Sequence, residues 1–187
     1  MELIPNLEIG WLNGWIPLVL LYSVYGILLL AFPGDVIARL YGYDRSRWSG
    51  RQKTFHAITK LLILIYFALI IFTPMKIGAG VFIPGIILFL FGLAGFIIAL
   101  INFKNTELDK PVTTGFYKIS RNPQVLSLFM LGCGICMVTG SWPAFFILIL
   151  SALFGRARTL AEEERCLEQY GDSYRAYMKR VPRYFLF

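Results

Sequence analysis

IGAGVFIPGIILFLFGLAGFIIALINF, residues 77–103, decides the fold. It runs for 27 residues without a charged side chain. A helix needs about 20 apolar residues to cross the hydrocarbon core of a bilayer, so this run spans one with turns to spare. Working outward, four more apolar runs flank it, at 15–32, 57–72, 123–139 and 142–154. Only Gly140 and Ser141 separate the last two, which makes them a tight antiparallel hairpin. The run 142–154 is short. To cover about 30 Å it must continue as helix through Arg156 and Arg158, whose long stems let their charges snorkel to the interface. The composition agrees: 57% of the residues are apolar and 16% charged, against about 25% charged in soluble domains. The expected fold is all-α integral membrane, with about five transmembrane helices in a single membrane domain, 1–187.

The charge pattern sets an expected orientation. The net charge is +7, and sixteen of the eighteen lysines and arginines fall within 39–53, 104–121 and 156–183. Five spans put all three segments on one side and leave Lys76 alone on the other. The positive-inside rule then places the N-terminus outside and the C-terminus in the cytosol. Cations gathered at helix ends point to a membrane surface and to membrane lipid, not to nucleic acid. Residues 1–12 carry no basic leader, so no cleavable signal is expected. The segment 34–53 is too polar to span and is expected at the interface.

Two polar stretches stand apart. In TTGFYKISRNPQVLSLF, 113–129, Asn122 is a favoured N-cap, Pro123 suits the first helical position, and Gly115 suits a turn. A helix start also presents free N–H groups to anions. Arg121 and Tyr117 stand beside it, so a carboxylate-bearing cofactor can dock there. In RTLAEEERCLEQYGDSYRAYMKRVPRYF, 158–185, Arg158 and Glu162 share a helix face. Glu162, Glu163 and Glu164 are adjacent like charges. A solvated face where the helix leaves the bilayer is the plain reading. Ionisable groups at membrane depth also mark functional sites. Gly171 interrupts this helix and Pro182 stops it.

Other candidates read blandly. CGIC at 133–136 sits in an apolar helix without a βαβ neighbourhood, so Cys133 and Cys136 read as packed residues. His56 is the only histidine. It supports neither a metal site nor a nucleophile-base pair. No Gly-rich phosphate loop appears.

The two stretches together resemble the isoprenylcysteine carboxyl methyltransferase family and its broader relatives, including phospholipid N-methyltransferases. The resemblance rests on Gly115-Phe116-Tyr117, Arg121-Asn122-Pro123, Arg158 with Glu162-Glu163, Tyr170-Gly171 with Tyr174 and Tyr177, and Val181-Pro182-Arg183, in that order over about 102–185. It implies a methyltransferase core over 102–187, behind N-terminal transmembrane helices over 1–101, with a cytosolic helical region forming the cofactor pocket. It implies S-adenosyl-L-methionine as cofactor. Tyr117, Arg121, Asn122, Pro123, Gln124, Val125 and Glu162 would bind it, with Asn102 and Val112 in weaker matching places. Arg158 matches the position that orients the acceptor's carboxylate, and Glu163 is a second candidate catalytic carboxylate. The acceptor would be lipophilic and enter from the bilayer. Two departures stand out: the family's histidine is Asn122 here, and Gln124-Val125 replaces a small residue and a tyrosine. A small NADPH-dependent membrane reductase and a non-enzymatic membrane protein are the alternative readings. The membrane would be the plasma membrane of a prokaryote or the endoplasmic reticulum of a eukaryote. The oligomeric state is left open.

Overall fold

The computed structural model describes residues 1–42 and 48–185. Among these residues six helices follow one another: α1 (Trp15–Leu30), α2 (Gly34–Tyr41), α3 (Gly50–Phe72), α4 (Phe82–Lys104), α5 (Pro123–Thr139) and α6 (Trp142–Arg180). A single 3-10 turn, Gly115–Lys118, interrupts the loop before α5. Among the described residues there is no strand, only the isolated bridges Glu2–Ser141 and Asn13–Pro74. The protein is an all-helical membrane bundle of about five spans. By length and composition α3, α4 and α6 are sufficient to cross a membrane, and α1 and α5 are shorter apolar helices.

Two boundaries differ from the apolar runs, each for a local reason. α3 begins at Gly50, well before Ala57. Ser49 and Gln52 form a capping box that starts it in polar sequence: Gln52 N donates to Ser49 Oγ at 3.2 Å and Ser49 N to Gln52 Oε1 at 2.8 Å. Within the polar segment 34–53, residues 34–41 form α2 and residues 50–53 the first turn of α3. Arg45 and Arg47, counted in the charge pattern, lie outside the described residues. α6 continues through Arg156 and Arg158 as expected. It stays regular until Gly171, whose φ of 54° and ψ of −128° break it. The 29 residues before that break cover about 43 Å, so the last turns stand clear of a core about 30 Å thick.

Small residues bring α4 and α5 into backbone contact. A Cβ added to Gly134 would lie 2.5 Å from Phe89 N, and one added to Gly92 would lie 2.7 Å from Leu131 N. Close approach of this kind substitutes for a hydrophobic driving force that lipid does not supply. At the end where α1 begins, residues 1–14 fold across the helix ends. Glu2 N donates to Gly140 O, Glu8 N to Phe72 O and Gly14 N to Thr73 O. The loop 105–122, α2 and the chain after α6 meet at the opposite end, and the polar site is there.

Candidate active site

The loop entering α5 is shaped by what lies under it. Gly115 has φ +58°, in the left-handed region, and a Cβ there would approach Asn102 Nδ2 to 2.1 Å. Asn102, on α4, therefore buttresses the 3-10 turn from below. Its Nδ2 is buried without a hydrogen-bond partner among the described residues. The turn presents Tyr117, whose hydroxyl accepts from Gln124 Nε2 at 3.0 Å and whose carbonyl accepts from Tyr177 Oη at 2.7 Å. Burial pushes the Tyr117 phenol above its usual range, with the bond from Gln124 opposing. It is therefore a neutral hydrogen-bonding group at physiological pH.

Asn122 is the N-cap of α5 by position, but its side chain caps nothing. Its Nδ2 turns away, donating to Glu163 Oε1 at 3.1 Å and to Arg183 O at 3.3 Å. Glu163 is 3% exposed. Its other oxygen accepts from Arg183 Nε and Nη2 at 2.9 and 2.8 Å, and Arg121 Nε stands 3.5 Å from Oε1. The bond to Glu163 also raises the Arg183 pKa, so that guanidinium is permanently charged. Ser120 Oγ donates to Arg183 O and Arg121 N to Pro182 O. One carboxylate thus ties the chain after α6 to the loop before α5. In this geometry Glu163, read from the sequence as a catalytic candidate, lines the cavity with its oxygens already engaged by Asn122, Arg121 and Arg183.

That arrangement leaves donors unused. The Arg121 side chain is 9% exposed, and its Nε and Nη1 are buried without hydrogen-bond partners among the described residues. Beside it, the Asn122 side chain does not cap α5, and Ser120 Oγ accepts only from Asn122 N, at 3.1 Å. An uncapped helix start next to a buried guanidinium with spare N–H groups favours an anion. On the neighbouring turn of α6, Arg158 Nε donates to Glu162 Oε1 at 2.9 Å. Both side chains of this pair remain partly open, at 57% and 31% exposure.

A cavity of about 560 Å³ joins these groups. Val112, Tyr117, Arg121, Asn122, Pro123, Gln124, Val125, Arg158, Glu162 and Glu163 all line it. Asn102 does not, because it sits beneath Gly115. The cavity also takes in residues that sequence reasoning gave no role. Arg39, from α2, lines it while bonding Lys110 O at 2.7 Å and Tyr170 Oη at 3.1 Å and lying over the Phe103 ring. Tyr170, Tyr174, Tyr177 and Tyr184 complete an aromatic wall. From this polar end the cavity continues between α1, α3, α5 and α6 along apolar side chains. It therefore draws on both 1–101 and 102–187.

This buried polar end, opening into a hydrocarbon-lined interior at one end of a helical membrane bundle, is the candidate active site. Residues 75–173 match the phospholipid methyltransferase family, more than half of the chain. The chain belongs to that family, one of membrane methyltransferases. No curated protein matches it. The match begins earlier than the resemblance read from the motifs and stops short of Val181-Pro182-Arg183.

Proposed function

We propose that this protein transfers a methyl group from S-adenosyl-L-methionine to a lipophilic acceptor that enters from the bilayer. The observation that carries this reading is that one cavity gathers ten of the eleven residues named from the sequence and joins them to an apolar interior. When bound, the cofactor supplies an electrophilic methyl group on a sulfonium.

The residues present fit such a cofactor. Arg121 and the uncapped start of α5 suit its carboxylate. Glu162 suits an ammonium or ribose hydroxyls, both of which are donors to a carboxylate. The four tyrosines that line this end carry rings of the kind that attract cations, which suits a sulfonium. Tyr117 and Gln124, already bonded to each other, offer neutral donors and acceptors for a purine edge. No nucleophile from the chain is needed. The protein's work is to align an acceptor with the methyl carbon in a site from which water is excluded. Arg158, at the cavity wall, suits an anionic group of the acceptor. The positive-inside rule puts this end in the cytosol.

The test is calorimetry on the purified protein in detergent with S-adenosylmethionine, S-adenosylhomocysteine and NADPH. Binding of the first two without NADPH is the expected result. Binding of NADPH alone would support a reductase, and no binding of any would overturn an enzymatic role.

A further inference from the structure

The cavity has a second half that methyl transfer alone does not explain. Its far lining comes from one depth of four helices. Leu18 lies near the start of α1, Tyr66 near the end of α3, Ile135 near the end of α5, and Leu148 near the start of α6. All four positions approach the end of the bundle away from Arg121. Along α5, Pro123 to Ile135 is about 18 Å.

The hydroxyls of Thr59, Ser151 and Tyr66 along the cavity wall are already bonded within the protein. Thr59 Oγ1 donates to Phe55 O at 2.8 Å, Ser151 Oγ to Leu148 O at 2.7 Å, and Tyr66 Oη to Gly132 O at 3.0 Å. Ligand surface there meets hydrocarbon and satisfied polar groups, which rejects polar atoms that would lose water without a replacement bond.

The far end is also stiff. The Tyr66–Gly132 bond ties α3 to α5, and breaking it would leave the buried hydroxyl with only the weak contact from Cys136 Sγ at 3.9 Å. Leu148 packs so closely on Gly132 that an added Cβ would lie 2.9 Å from Leu148 Cδ2.

We propose that this limb holds one hydrocarbon chain of the acceptor lengthwise, and that Tyr66, Gly132 and Leu148 form a floor that sets the longest chain accepted. The proposal rests on the reading of the acceptor as a lipid. A chain that overruns the floor must buckle or push α3 away from α5. A methylene that does not fit an apolar pocket is worth about tenfold or more in discrimination.

The experiment uses the full chain in phosphatidylcholine vesicles. The probes are saturated single-chain lysophospholipids, from lauroyl to arachidoyl, each with a diazirine at the chain terminus. Labelling yield and labelled residues are read by mass spectrometry, and S-adenosylhomocysteine affinity is measured on the same preparations. In the wild type the yield should peak at one chain length, fall about tenfold for the next longer chain, and mark Tyr66, Ile135 or Leu148. Leu148→Ala should move the peak to longer chains and Gly132→Val to shorter ones, with S-adenosylhomocysteine affinity unchanged. Leu148→Ala only removes atoms, so it carries the test alone if Gly132→Val does not fold. An unmoved peak in Leu148→Ala, or labels confined to outward residues such as Ile87 and Phe91, would overturn the floor. Shifted peaks without S-adenosylhomocysteine binding would uphold the floor and remove the cofactor reading. Binding with unmoved peaks would do the reverse.

Discussion

Glu162 and Glu163 are neighbours in the chain and belong to different regions of the molecule. They stand about 100° apart around α6. Glu163 points inward, is 3% exposed and is shared by Asn122, Arg121 and Arg183. Glu162 points along the cavity wall, with 31% of its side chain exposed and Arg158 as its salt-bridge partner. An exposed pair is worth about 0–1 kcal/mol, so its members can exchange partners at little cost. A buried one is costly to break because the group left behind has no water. The difference separates a carboxylate that holds the site together from one with capacity left for a ligand.

The sharpest way to break this contrast is to remove the inner carboxylate. Glu163→Ala leaves Arg121 and Arg183 facing each other without an anion and removes an acceptor from Asn122. Breaking a buried pair in this way costs about 3–5 kcal/mol, enough to release the chain after α6 from the loop before α5. Thermal unfolding in detergent should show a large loss of stability, with Glu163→Gln less affected because it keeps the volume and one acceptor. A Glu163→Ala protein as stable as the wild type would mean that the two carboxylates do not differ in kind.

The outer carboxylate should behave oppositely. Glu162→Ala should fold and insert with little change, because its partner Arg158 remains hydrated. Its loss should appear in affinity. A hydrogen bond involving a charged group is worth about 1.5–3 kcal/mol, or about 10- to 100-fold. S-adenosylhomocysteine titration measures this directly. Unchanged affinity in a stable protein would take Glu162 out of the cofactor site.

How far the sequence could separate these two residues depends on distance along the chain. Hydropathy alone exposes the spans, because the run 77–103 and its neighbours have no other stable place. The start of α3 was written in Ser49 and Gln52, three apart, but in a stretch too polar to look like a span. The loop and tail motifs named ten residues that one cavity brings together. The spacing to Arg158 and the motif set Glu162 and Glu163 apart from Glu164, but nothing local says which one turns inward. That is decided by Arg183, twenty residues on, and by Asn122, forty-one residues back. Arg39 was illegible for the same reason: its carbonyl partners lie some seventy residues away. The apolar limb was hidden more thoroughly. Leu18, Tyr66, Gly132 and Leu148 each look like ordinary core until four helices are placed side by side.

The smallest expected effect tests whether Arg158 does more than pair with Glu162. It lies one turn before Glu162 on the cavity wall, where the apolar limb meets the polar end. Arg158→Lys keeps the charge and the ability to snorkel, and an ammonium still reaches Glu162. What it loses is the planar fork that grips a carboxylate or phosphate with two parallel bonds. Stability should therefore be unchanged, since an exposed pair contributes little in either form. Cofactor affinity should also be close to wild type, because Glu162 is still present and still partnered. If Arg158 orients an anionic acceptor, turnover should fall about tenfold, equivalent to about 1.4 kcal/mol at the transition state. A radiolabelled methyl-transfer assay over prenylthiol, prenylcysteine and phospholipid acceptors, run beside the cofactor titration, reads both quantities. Wild-type turnover with every acceptor that the protein methylates would make Arg158 a surface partner of Glu162. An equal fall in cofactor affinity would move it to the cofactor's side of the cavity. A fall in turnover alone, confined to anionic acceptors, would give the outer pair two separate duties, with Glu162 holding the cofactor and Arg158 the acceptor.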